Sequence, residues 1–357
     1  MKKTILLITC LLSIFSIYSQ VNIGRKRGLG NLYVVEHNDK LYDIIKKTTT
    51  YFVVPDSLDF NETKKTIEEI WTFNSIKFIS EVDYQKGELI STDNSIIKFQ
   101  DKNYIKTKET IGRNDERIVG TIDLYKFQMF YYEEVSKKNN GKIKKEIGQI
   151  AEIIFTPDNY YRFLGKETGY TGDFEIGYVG KPSLFKSGTN EFTVKTKDDG
   201  NSYKYLKTPE SYNFHLGYIK NYFQTLNNKL TDNESLKIRD EIKKKDKLKE
   251  LKSKTLYVPN WLLKDYSTFK LKVTKVLKPE ELFEDYKFEF KVLSNEELNS
   301  KILNKDEFYY LMHTTYNGEK VISIINSLTG EIIYSIVDNS SNLIEKSDLK
   351  DINKLIK

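Results

Sequence analysis

KSKTLYVPNWLL, residues 252–263, repeats the grammar of an earlier stretch, KKTTTYFVVPDSL, residues 46–58. Both are basic and Thr-rich, pass into β-branched and aromatic residues, and break at Val-Pro-Asx-x-Leu. Such runs suit a pleated, half-buried surface. A proline has no N–H to give the ladder, so it suits the place where a strand leaves its sheet. The likeness continues downstream. IKFISEVDYQKGEL (76–89) and FKVLSNEELNSKIL (290–303) share the order apolar-Lys-apolar-apolar-Ser. Each serine, Ser80 or Ser294, stands three residues before an acid, Asp83 or Glu297. That spacing signals a capping box, so a helix is expected after each strand. From the serine to the leading Asp of the next strand is 13 residues in one copy and 12 in the other (80 to 93, 294 to 306). From proline to serine is 25 against 35, so with the prolines as matching points an insertion falls in the first crossover. The common order of these signals predicts a duplication.

The expected fold class is therefore α+β, assembled from α/β elements. Two related mixed-sheet units are expected, each strand–helix–strand–helix–strand plus an antiparallel hairpin. The first unit spans 48–164. Its helix, capped by Asp59 or Asn61, carries Thr63, Ile67, Ile70 and Trp71 at helical spacing, and its hairpin turns in a Lys-rich stretch around Asn139 to Gly141. The second unit spans 253–357. Asn317-Gly318 separates FYYLMHTTY from KVISIIN, a strong hairpin signal, and Thr329-Gly330 turns into EIIYSIVD. Between the units, 165–210 reads as a Gly/Tyr-rich loop followed by a hairpin on Asp199-Gly200. Residues 211–252 read as an αα-hairpin linker. Ile219, Tyr222, Phe223, Leu226 and Leu230 line one face of its first helix, and Asp232 caps the second. Residues 20–47 read as an extended N-terminal arm and lead-in, with a strand at 32–37 and a short helix bearing Leu41, Ile44 and Ile45 on one side.

The first nineteen residues read as a secretory signal: Lys2 and Lys3, an apolar run from Ile5 to Tyr18, then Ser19. That run has 14 residues, short of the roughly 20 a spanning helix needs, so no transmembrane anchor is expected after cleavage. Cys10 lies inside the apolar run, where a lipidated cysteine would end it. Cleavage leaves 357 − 19 = 338 residues without a cysteine, which excludes disulfides, thiolate metal sites and cysteine nucleophiles. A periplasmic or secreted location follows. The net charge of +6 falls to about +4 once the two signal lysines leave, spread over many charges of both signs. Nucleic-acid binding wants a concentrated basic face, and none is expected.

The three histidines, His37, His215 and His313, are far apart, with no H-E-x-x-H and no pair at i, i+4. No G-x-S-x-G elbow or P-loop is present. The glycines of GRKRGLG (24–30) lack the strand–turn–helix setting that a phosphate cradle needs. Asp198-Asp199-Gly200-Asn201 lacks the later acid of a calcium loop. Adjacent acids such as Glu68-Glu69, Glu133-Glu134, Glu280-Glu281 and Glu296-Glu297 point apart on any regular element, so they make no carboxylate dyad. No cofactor, metal site or catalytic residue is assigned. The candidate binding residues are aromatic: Tyr160, Tyr161, Tyr170, Phe174 and Tyr178, with Phe163 among them, around the glycine loop. Tyrosines there suit a sugar or protein contact through stacking with a polar tip. Equally, the rings could close over a sheet edge.

The Lys-Thr-[Thr/Leu]-Tyr strand ending in Val-Pro, the segment FKVLSNEELNSKIL and the terminal TGEIIYS together resemble uncharacterised exported proteins of flavobacteria and other Bacteroidetes. The phrase Phe-x-x-Leu-Ser-x-x-Glu-Leu is similar, more loosely, to the small periplasmic α/β modules of the TolB amino-terminal, LpoB and CsgG type. That likeness implies scaffolding and partner binding in envelope assemblies, although a fold does not carry a function with it. The expected function is an exported, non-enzymatic binding or scaffolding protein that engages an envelope protein or a cell-wall glycan. The alternatives are a glycan or peptide hydrolase with loop-borne acids and a small-ligand carrier.

Overall fold

The computed structural model describes residues 21–27, 34–36, 39–84, 88–100, 104–111, 115–122, 126–136, 143–155, 213–237, 240–267, 272–316, 319–338 and 343–357. Residues 1–20 and 156–212 lie outside them. The chain opens with β1 (Val21–Ile23), a small ladder of β2 (Arg25–Arg27) with β3 (Val34–Glu36), and α1 (Asp39–Lys46). The first unit follows: β4 (Thr49–Val54), α2 (Phe60–Glu68), β5 (Ser75–Ser80) and β6 (Asn94–Gln100). A separate hairpin of β7 (Tyr104–Ile111) and β8 (Asp115–Ile122) precedes the long pair β9 (Lys126–Ser136) and β10 (Ile143–Ile154). The helix α3 (Leu216–Thr231) leads to β11 (Ile242–Lys243) and α4 (Lys245–Lys249). The second unit runs β12 (Leu256–Pro259), a 3₁₀ turn (Asn260–Leu263), the hairpin β13 (Lys264–Ser267) and β14 (Lys272–Val276), α5 (Pro279–Leu282) and β15 (Phe290–Leu293). It closes with α6 (Asn295–Leu303), β16 (Tyr309–Tyr316), β17 (Glu319–Asn326), β18 (Ile332–Asp338) and α7 (Lys346–Ile356). Among the described residues no helix is long and apolar enough to cross a membrane.

The two units hold six-stranded mixed sheets of one topology. The orders are β1-β10-β9-β6-β4-β5 and β11-β18-β17-β16-β12-β15. In each, the leading strand lies between two parallel neighbours, and the remaining three strands alternate in sense. The agreement extends to single residues. If the strand-ending serines Ser80 and Ser294 are matched, Phe78 matches Val292, whose partners are Phe52 and Val258. Tyr51 then falls on Tyr257, and their neighbours Ile96 and Tyr310 pair onward with Phe130 and Ile325. Beyond those residues each sheet carries a β-bulge at the same place, Ile150 in β10 and Ile333 in β18. A bulge bends the strand and sharpens its twist, so sharing its position is a demanding coincidence. In this register Pro55 lies two residues beyond the place of Pro259. The prolines end their strands locally and are not the equivalent positions that sequence spacing suggested.

The α3 helix packs between the units, and most of its residues are buried, every one from Leu216 to Asn227 except Gln224. Its Phe223 meets Phe52 at 4.9 Å and Trp71 at 6.2 Å, on the face of the first sheet that α2 also covers. Its other side meets the second sheet through Tyr218 on Tyr310 at 5.6 Å, and it touches α6 where Gly217 N donates to Asn299 Oδ1 at 2.7 Å. Tyr310 corresponds to Ile96, which faces away from Phe52 in a pleated sheet. The helix thus covers opposite faces of two like sheets, and the units are stacked head to tail. Gly330 makes the close approach possible: at φ +69° it turns β17 into β18, and an added Cβ would lie 2.4 Å from the Asn221 carbonyl.

Three local expectations fail for identifiable reasons. After Ser80 the chain makes a turn, with no helix among the described residues before β6. The Asp83 carboxylate accepts from the Ser80 hydroxyl, whereas the longer Glu297 reaches back to Ser294 N at 2.8 Å and completes a true capping box. Among the described residues the expected αα-hairpin is replaced by one long helix, a short strand and a short helix. Asp232 is the C-cap of α3, Asn233 follows at φ 61°, and the chain then enters β11 and the five-residue α4. Within the lead-in, Val21 and Ile23 are fully buried as an edge strand, and Ile44 is exposed while Leu41, Tyr42 and Ile45 are buried.

Candidate functional site

Four strands form the edges of the two six-stranded sheets, and they are unequal. β1 has three residues and is tied to Leu236 by reciprocal backbone bonds of 2.6 and 3.0 Å. β11 has two residues and β15 four. β5, SIKFIS, has six residues, no proline and no bulge, and its side chains are exposed or half-buried throughout. Its outward backbone groups have no backbone partner among the described residues. Natural edges are usually blunted by shortness, proline, bulges or charge, and here Lys77 is the only charge. Ile76 and Phe78 continue the inner core row, with Phe78 edge-on to Phe52 at 5.9 Å. On the outer face Lys77 lies over the Tyr51 ring at 5.7 Å, and Lys98 over Tyr84 at 4.6 Å.

A second feature is a cleft of about 520 Å³ in the second unit, within the range of small-molecule sites. Leu262, Leu277, Leu282, Leu343 and Ile344 form its apolar wall, and Lys264, Lys275, Lys346, Glu281 and Glu345 its rim. The rim charges are largely engaged. Lys275 holds Glu281 at 2.9 Å, and that hydrogen bond keeps the carboxyl below its ordinary range. Lys346 pairs with Glu284, and Glu345 caps α7.

Elsewhere the ionisable groups serve structure. Lys126 and Glu152 are 2% and 1% exposed and pair at 3.0 Å, with Asn22 and Gln149 donating to the same carboxylate, so the buried charges are compensated. In the second unit, fully buried Lys320 bonds Asp348 at 2.8 Å and Asp338 at 3.1 Å, anchoring α7 to the sheet. Burial pulls the Lys320 ammonium down, but the two carboxylates outweigh it and raise its pKa; burial raises that of Asp348. Buried Lys220 donates to the Ile302 carbonyl at the end of α6, and desolvation lowers its pKa. Glu250, held by Lys254 and Tyr309, is drawn down to about 2. Of the adjacent acids, Glu69 pairs with Lys305 at 2.9 Å, Glu133 accepts from Tyr131, and Glu297 belongs to the capping box. Among the described residues no three His, Cys, Asp or Glu side chains converge on a metal-sized site.

The aromatic candidates Tyr160, Tyr161, Phe163, Tyr170, Phe174 and Tyr178 lie outside the described residues, as does His37. His215 precedes α3, its ring 6.0 Å from that of Tyr218, and buried His313 packs on Trp261 at 5.9 Å. Sequence reasoning passed over β5 as an edge and missed the cleft. The alternation of SIKFIS marks a strand but not its place in the sheet, and the cleft draws on residues from 262 to 346 that no local pattern connects. The chain matches no protein-family model, no curated protein and no solved structure, so the resemblance to exported Bacteroidetes proteins gains no support and the sites rest on their own chemistry.

Proposed function

We propose that the chain is an exported, non-enzymatic binding or scaffolding protein of the bacterial envelope that engages a partner protein by strand addition at β5. The carrying observation is the contrast between the edges of the two six-stranded sheets: six residues without a bulge in β5 against two to four in β1, β11 and β15. An added strand takes its affinity from main-chain hydrogen bonds and its specificity from alternate side chains. Here one row of the partner would extend the Ile76 and Phe78 row with apolar side chains. The other would set an acid against Lys77. The acids favour this reading over hydrolysis, because Glu69, Glu152, Glu250, Glu281 and Glu297 are held in ion pairs and a cap.

Site-specific photo-cross-linking in the native host tests it. A photoreactive residue at Lys77 is expected to trap one partner through an extended segment, while the same residue at Lys291, on the short edge β15, traps none. Equal trapping at both positions, or none at Lys77, would overturn the proposal.

A further inference from the structure

The cleft in the second unit is built for a different kind of ligand. Among the described residues its apolar wall is wholly aliphatic, with no aromatic ring on which a sugar or base could stack and no hydroxyl or amide side chain to bond one. What such a wall removes from water best is a hydrocarbon chain. The rim adds a sign. Lys275 and Lys346 are held by Glu281 and Glu284, and Glu345 caps the N-terminus of α7. Lys264, half-buried at the mouth, is the rim cation without an ion-pair partner among the described residues. A cation beside apolar surface favours a ligand with an anionic head and an aliphatic body, because the head meets a charge without an ion-pair partner among the described residues while the chain buries alkyl surface.

We infer that this cleft binds an unbranched aliphatic carboxylate, with the head on Lys264 and the chain lying along Leu262, Leu277, Leu282, Leu343 and Ile344. The site belongs to the second unit and does not depend on strand addition at β5. Each can fail without the other.

Dodecanoate is the probe, added to the full exported chain below its micelle concentration and followed by equilibrium dialysis and thermal shift. Saturable binding to a single class of site is expected, with a rise in melting temperature because only the folded state binds. Dodecylamine, with the same chain and the opposite charge, should not bind there. Lys264→Glu, at a half-exposed position, should weaken dodecanoate by about tenfold or more without changing the melting temperature of the free protein. Leu282→Asp should abolish binding, and Lys291→Glu, on the far edge strand, should leave it unchanged. Absence of saturable dodecanoate binding, equal binding of the amine, or full affinity in Lys264→Glu would each overturn the inference.

Discussion

Tyr51 and Tyr257 occupy one position in two copies of one sheet, yet their surroundings differ. Over Tyr51 lies Lys77 of the neighbouring edge strand, on a face that α3 does not touch. Beside Tyr257 stand Phe308 at 4.8 Å and Lys301 of α6 at 5.8 Å, on the face that α3 and α6 cover. The divergence recurs at the hairpins. Gln128 and Glu152 of the first sheet match Ser323 and Ser335 of the second, whose hydroxyls are 3.1 Å apart. Strand order, register and bulge are common to the two units, while the choice of covered face is not. A sheet's backbone ladder tolerates either face as its core, provided that side chains on the chosen face are apolar or satisfied. Head-to-tail stacking of like units uses unlike surfaces on each, so it leaves unlike surfaces over. The cleft itself is lined in part by β13, β14 and α5, which the second unit carries between β12 and β15 where the first has α2 alone.

The comparison can be broken most forcefully at Phe52 and Val258. Phe52 contacts α3, Phe78 and Phe127 at once, so Phe52→Ala is expected to cost about 3–5 kcal/mol in chemical denaturation. Val258→Ala, at the matching place under a different roof, should cost about 2 kcal/mol. Equal losses would mean that the Phe52 ring, with its contacts to Phe78, Phe127 and Phe223, adds nothing beyond what a buried valine gives. The hairpin positions sharpen the contrast. Lys126→Met strands a buried carboxylate, a loss of roughly 3–4 kcal/mol, whereas Ser323→Ala should cost about 1 kcal/mol. The smallest pair separates the caps. Ser294→Ala removes half of a capping box and should cost about 1 kcal/mol, while Ser80→Ala, before a turn, should fall within about 0.5 kcal/mol. A reversal of that order, read from melting curves, would restore a helix after Ser80.

The fold was legible where local chemistry and final structure agree. The β-branched run of β4, the pairing of β16 with β17 up to Tyr316 and Glu319, and the apolar face of α3 all act over a few residues. The failures share a cause. A proline ends a strand wherever the strand happens to end, so Pro55 and Pro259 are poor guides to register. Three residues, Val21–Ile23, are too short to display a period, and only the long-range ladder to β10 makes them a strand. Asp232 reads as well for a C-cap as for an N-cap until Asn233 adopts a left-handed conformation. The candidate sites were less legible still. Whether SIKFIS is an edge depends on which strands find each other, and the lysine that marks the cleft stands out only after its neighbours have paired.

The central claim is that one sheet is written twice in one register, and a pair of disulfides tests it. Residues 20–357 contain no cysteine, so Ser323→Cys with Ser335→Cys, and Gln128→Cys with Glu152→Cys, introduce isolated matched pairs there. Lys126→Met accompanies the second pair so that no lone charge is buried. Mild oxidation should close both, each with a mass loss of two hydrogens. Closure of the serine-derived pair, with the two thiols that replace Gln128 and Glu152 remaining reduced, would contradict a shared register.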